Sequence, residues 1–230
     1  MSKFTNLELV TDKGNLKVLL NGKQLKTPLR KNIVIPSEDI FKKIKKEFSK
    51  IKSEINYSDM PVFSMVLAII DKIKPNRKNL HDELIKYSMN DLICYRVSKF
   101  ENEILYNLQV KKWNKWIEWA ENFFSINLLI SESIMPVNQN DDTSRKVLNI
   151  LNDLDSWEFG CLYQSTKLSG SFFLGFAYIS KIINVKQFFS LSFLEELYQI
   201  EKWGSDFESS IRHKSILKEL KEIDEFLKLL

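Results

Sequence analysis

Two pairs of adjacent acids, Asp141-Asp142 and Glu195-Glu196, and two histidines, His81 and His213, are the side chains with most capacity for proton transfer or metal binding. General acid–base work needs one carboxyl of a pair held in a cleft with a raised pKa. Neighbours on a helix point about 100° apart and rarely share a proton, so solvated acids are the reading the spacing supports. Neither histidine falls in an HExxH-type spacing. Cys94 and Cys161 form no CxxC pair, and a chain of this length with only two cysteines is expected to bury both as reduced thiols. Lys167 precedes Gly170 instead of following it, so the glycines there make no phosphate loop, and no dinucleotide fingerprint or nucleophile elbow occurs. Gly170 and Gly175 are read as points of helix interruption or close helix contact. These residues give no support for catalysis, and neither a cofactor nor a metal is expected.

The aromatic residues carry more. Trp113, Trp116 and Trp119 recur every three residues, along one slowly turning helical face that Phe123 and Phe124 extend. Such a stripe serves a core or a docking surface, and core is the expectation for the individual tryptophans. Phe172, Phe173, Phe176 and Tyr178 are expected in the core as well. Trp203-Gly204 has the form of a helix-end anchor, with Trp203 buried and Gly204 turning the chain.

Bulk composition excludes several classes. The 230 residues are 44% hydrophobic and 28% charged, with five Pro and six Gly, which suits a globular core and leaves little for linkers. The formal charge is only +4, and just five basic residues are Arg, so a dedicated nucleic-acid surface is not indicated. Charge is uneven: residues 1–60 hold 13 basic and 7 acidic groups, residues 195–230 hold 6 and 9. The apolar segments Val62–Ile70 and Phe172–Ile183 fall well short of the roughly 20 residues a membrane helix needs, and no signal peptide opens the chain. An intracellular protein without stable membrane insertion is expected.

The elements that must position these residues follow from periodicity. Leu7–Val10 and Leu16–Leu20 flank a Lys13-Gly14-Asn15 turn, Asn21-Gly22 gives a second hairpin signal, and Ile33–Ile35 forms a further short strand. Ser37 caps a helix whose stripe is Ile40, Ile44, Phe48, Ile51 and Ile55, with Lys42, Lys43, Lys45, Lys46, Lys50 and Lys52 around it and Glu47 and Glu54 interrupting the basic surface. Helices are then expected over 62–72, ending before Pro75, and over 79–96, 103–124, 143–153, 157–167, 169–183, 186–203 and 205–229. The fold class is α+β, with a small β-rich N-terminal domain at 1–60 containing one amphipathic helix, and a larger all-helical domain at 61–230.

Several strings taken in order resemble one family, the F1-ATPase assembly chaperones that bind the alpha subunit in mitochondria and related bacteria. The hairpin Asn21-Gly22-Lys23-Gln24-Leu25-Lys26-Thr27-Pro28 is similar to the family's, with Asn21 and Lys23 in place of its usual Asp and Arg. Met60-Pro61 and Ile70-Asp71-Lys72 follow, although Val66–Ile69 replaces a stretch that often contains Asn. Tyr87 and Asp91-Leu92-Ile93-Cys94-Tyr95-Arg96 form the most continuous match. Trp113, Trp119-Ala120, Met135-Pro136-Val137, Leu168-Ser169-Gly170-Ser171, Leu194-Glu195-Glu196 and Tyr198–Gly204 come after it in the family's order.

The resemblance implies a non-enzymatic chaperone that binds the unassembled alpha subunit of the ATP synthase F1 sector until the beta subunit replaces it. It implies a cytoplasmic protein of the alphaproteobacterial type, monomeric when free. An adaptor of the same fold with a different client is the alternative. The family's functional acid maps to Glu195, with Glu196 beside it as a second client-binding acid. Leu194 and Leu197 are expected to pack inward and Glu195 to point outward, while an internal salt bridge between Glu195 and a lysine stays open.

Overall fold

The computed structural model describes residues 6–51, 55–132 and 135–230. It divides into two compact units, Met1–Arg77 with Glu222–Leu230, and Lys78–Lys221. The α+β class and the strands-first order are as expected. In the first unit β1 (Leu7–Asp12), β2 (Asn15–Leu20) and β3 (Lys23–Gln24) form an antiparallel meander, and β4 (Val34–Ile35) also pairs with β2. The registers Asp12↔Asn15 and Leu20↔Lys23 leave two-residue loops, Lys13-Gly14 and Asn21-Gly22. All four loop residues have positive φ, the conformation that continues the twist of the strands. Val18, Ile33 and Ile35 point from this sheet into a core shared with Ile40, Ile44 and Phe48.

Helix α1 (Glu38–Phe48) starts as expected at Ser37, whose hydroxyl accepts from Ile40 N at 3.2 Å. It stops at Ser49, so Ile51 and Ile55 do not extend the helical stripe; Lys52 and Glu54 lie outside the described residues. Glu47 does not interrupt a basic surface. It is buried, and its two carboxylate oxygens accept from Val62 N and Phe63 N, each at 3.0 Å. Met60 offers α2 (Pro61–Ala68) no side-chain cap, and Glu47 supplies that function from α1.

Pro75 does not end a helix. A π turn, Ile69–Ile73, links α2 directly to α3 (Lys74–Met89), placing the proline in the first turn of α3. Lys74 N reaches back five residues to Ile69 O. Pro75 has no N–H for the next rung, and the carbonyl of Ile70 accepts instead from Lys31 Nζ at 3.2 Å. Asp71, in the same turn, accepts from Thr27 Oγ1 at 2.7 Å and from Leu29 N at 3.3 Å. The Thr27-Pro28 and Ile70-Asp71 strings are thus halves of one contact.

The second unit is helical. The expected helix over 79–96 ends at Met89, and Asp91 starts a separate 3-10 turn, Leu92–Cys94. Helix α4 (Glu103–Phe124) has the expected bounds, between the cap Asn102 and Ser125 in the left-handed conformation. Trp113, Trp116 and Phe124 are buried, Trp119 is half-buried, and Phe123 is exposed. Helices α5 (Asp141–Asp153) and α6 (Ser156–Ser169) follow, α6 with a capping box between Asp155 and Glu158. Gly170 ends α6 with φ 73°, and every residue of α7 (Phe172–Ile179) is buried. A Cβ on Gly175 would lie 2.8 Å from Thr166 Oγ1, so only glycine permits this approach of α7 to α6. Cys94 and Cys161 are buried and unbridged, and burial pushes both thiols far up.

Asp91 binds these parts together. It is fully buried, and it accepts from Ile93 N at 3.1 Å, Ser171 Oγ at 2.6 Å and Phe173 N at 3.0 Å. One carboxylate therefore caps the 3-10 turn and, together with Ser171, the start of α7. The expected helix over 186–203 is two helices, α8 (Val185–Ser192) and α9 (Leu194–Trp203), with a corner at Phe193. Trp113 Nε1 donates to Leu191 O at 2.9 Å, taking a carbonyl that the end of α8 leaves unpaired. Gly204, φ 87°, turns the chain into α10 (Phe207–Leu229) as expected. Trp203 is not buried: it is 76% exposed, because α9 packs through Leu194 and Tyr198 and ends with the indole on its open side.

Burial raises the Asp91 carboxyl from an ordinary 3.8 to about 6, outweighing its three donors. A raised carboxyl pKa favours folding below pH 4, and that contribution, about 3 kcal/mol, is lost as pH rises through 6. Asp91→Asn presents an NH2 group to donors and should cost about 1–3 kcal/mol. Urea denaturation from pH 4 to pH 7 should show the gap between wild type and variant narrowing as pH rises. A gap independent of pH would contradict the assignment.

Candidate functional site

The two predicted acids sit in the first turn of α9, where the helix dipole favours negative charge. The corner at Phe193 gives α9 no side-chain cap, so Glu195 and Glu196 are the nearest compensating groups in sequence. Leu194 is buried as expected and anchors the turn, while Leu197 is only half-buried.

The two acids have different partners. Glu195 is exposed, and its Oε1 accepts from Gln109 Nε2 at 2.6 Å. Gln109 is completely buried in α4, and its Oε1 accepts from Val97 N at 2.9 Å. The carboxamide is therefore fixed in orientation by a backbone group, with its N–H directed at Glu195. The open alternative of a lysine partner is replaced by this uncharged one. Glu196 Oε2 accepts from Arg212 Nη1 at 2.7 Å and lies 2.8 Å from His213 Nε2. His213 packs edge-on to Phe189, and the Arg212 guanidinium lies over the Phe193 ring. The structure thus places the acids side by side but engages only Glu196 with Arg212 and His213.

Gln109 and Trp113 are one helical turn apart on α4. Trp113 fixes the end of α8 and Gln109 meets the start of α9, so the α8–α9 corner and its acids are positioned by α4. Nothing in the sequence singles out Gln109, an amide in a mixed polar run. Its only signal is the four-residue step to Trp113. Tyr198 Oη donates to Asn102 Oδ1 at 3.3 Å, adding a contact between α9 and the α4 cap.

Other polar clusters have structural partners. Asp142 pairs with Arg145 and Lys146, which hold its carboxyl below the usual range, and Glu83 is bound by Tyr163 and Lys167. His81 stacks obliquely on Phe159. Among the described residues no group of three or more His, Cys, Asp or Glu is arranged to hold a metal ion, and no helix is long and apolar enough to cross a membrane.

Comparison with known proteins agrees with this architecture. The mitochondrial protein atp12 of Schizosaccharomyces pombe is 27% identical over 203 residues, covering 84% of this chain and 69% of that protein. The crystal structure of Atp12 from Paracoccus denitrificans superposes with a TM-score of 0.91 at 26% identity, covering 98% of this chain and 96% of the other. A structure from Agrobacterium tumefaciens gives a TM-score of 0.89 at 25% identity, over 98% and 84% of the two chains. Residues 3–121 match the family model described as ATP12 chaperone protein, and the chain, of which that match spans more than half, belongs to this family.

Proposed function

We propose that this chaperone binds the unassembled alpha subunit of the ATP synthase F1 sector and yields it when the beta subunit takes its place. An alpha subunit without beta exposes a broad apolar interface, and such surfaces aggregate. Membership of the ATP12 family supports the client class. The observation that carries the site is Glu195, a carboxylate held at the surface by a buried, uncharged amide and so available to a cation on the client. Glu196 borders it, already engaged with Arg212. Charges at the rim of an interface govern register and encounter more than raw affinity, which suits a complex that must dissociate. Competition by beta suffices for release without nucleotide hydrolysis. We place this activity in the bacterial cytoplasm, and the free chaperone is a monomer.

Two measurements test the reading. Refolding of the alpha subunit, followed by light scattering without ATP, should aggregate less with the chaperone present, and added beta should release the chaperone. Unchanged scattering at excess chaperone would refute the client assignment, and a different protein recovered from native lysate would favour an adaptor. The second measurement separates charge from stability. Glu195→Gln keeps an oxygen for Gln109, so its melt should match wild type within about 0.5 kcal/mol. Loss of a client ion pair should nevertheless weaken alpha binding by about 2 kcal/mol or more, and Glu195→Lys by more still. Normal binding by both variants would remove Glu195 from the interface.

A further inference from the structure

We infer that Trp203 and Phe207 form the apolar centre of the docking face whose acidic edge is Glu195, and that its occupant is a client protein surface with an apolar patch bordered by Lys or Arg. The inference rests on the chaperone reading proposed above and specifies the surface that reading requires. Glu195, Gln199 and Trp203 are spaced at four-residue steps on α9 and are all exposed, so they form one stripe about 12 Å long. Beyond the turn at Gly204, the start of α10 leaves Phe207 82% exposed and, one turn on, Ile211 51% exposed. The opposite sides of these helices are packed, with Leu194, Tyr198, His213 and Ile216 buried. Three large apolar side chains within nine residues are thus left in water by helices that are otherwise anchored. Trp is the residue most enriched among side chains that dominate binding energy, through the area it desolvates.

Charge selects the occupant. Glu195, Glu201, Asp206 and Glu208 are exposed around these apolar groups. Among the cations of the same stretch, Arg212 is bound to Glu196, while Lys202, over the Tyr198 ring, and Lys214 are exposed. Four exposed acids against these two lysines leave the rim net negative. A second copy meeting this face symmetrically would set acid against acid, and polyanions or anionic lipid surfaces would be repelled. An apolar protein surface rimmed by basic side chains is complementary.

The test uses full-length Trp203→Ser, Trp203→Phe and Phe207→Ser with isolated alpha subunit as the probe. Melts and binding isotherms are measured on the same proteins, with sedimentation for self-association. Melts close to wild type are expected, because the side chains are exposed. Alpha binding should weaken at least about tenfold for both serine variants and much less for Trp203→Phe, with wild-type affinity falling as salt rises. Wild-type binding left intact by both serine variants would overturn the inference while leaving the chaperone reading in place. Failure of wild type to bind alpha at all would overturn the reading, and the inference with it. A wild-type dimer abolished by Trp203→Ser, or a large loss of melting temperature in that variant, would assign the indole to self-association or to the core and refute the docking role.

Discussion

A single buried carboxylate fixes the helical unit. Asp91 accepts from the 3-10 turn that it caps and from the start of α7, eighty residues later in the chain. Placing such a group out of water is costly unless its lone pairs are filled. Here two donors are backbone N–H groups that the starts of two elements would otherwise leave unpaired, and the third is the Ser171 hydroxyl. The arrangement is mutual: the turn and the helix need an acceptor, and the acid needs donors. It also explains the company α7 keeps, since a helix buried at every position must have its N-terminus satisfied from inside the protein.

Glu47 repeats the solution in the first unit, where it caps α2 from α1. Thr27, Asp71 and Lys31 hold the π turn against the segment between β3 and β4 in the same way, through groups distant in sequence. Each contact joins an irregular backbone segment to a side chain from another element. The regular helices supply apolar area, and these few polar contacts supply register. The α8–α9 corner follows the rule, with an indole and a carboxamide from α4 meeting its two sides.

Much of this was legible in the sequence because it is local. Asn21-Gly22 requires positive φ, Ser37 and Asn102 are capping residues, and the α4 stripe has helical period throughout; hairpin and helix follow. What local pattern misses is satisfaction at a distance. Pro75 reads as a stop because its missing N–H is visible while Lys31, which occupies the freed carbonyl, is forty-odd residues away. The pattern over 186–203 reads as one helix because nothing nearby reports that Trp113 takes the Leu191 carbonyl. The site divided along the same line. Resemblance alone points to Glu195, and helical phase gives its exposed position, whereas Gln109 carries no signal beyond its step to Trp113. Trp203 departs from its expected burial because an aromatic beside a glycine marks a helix end equally well whether or not anything covers it.

The carboxamide behind Glu195 bears on the timing of an entropic cost. A glutamate side chain free in solvent samples many rotamers, and confining it in a complex costs on the order of 1–2 kcal/mol at the moment of encounter. Gln109 is itself immobilised by Val97 N and by complete burial, so the confinement of Glu195 has already occurred on folding. A carboxylate organised in advance favours partner capture without requiring a deeper bound state. In the role proposed for this protein, taking up a subunit and surrendering it to a competitor, such an advantage lies in forming the complex and leaves its parting unhindered.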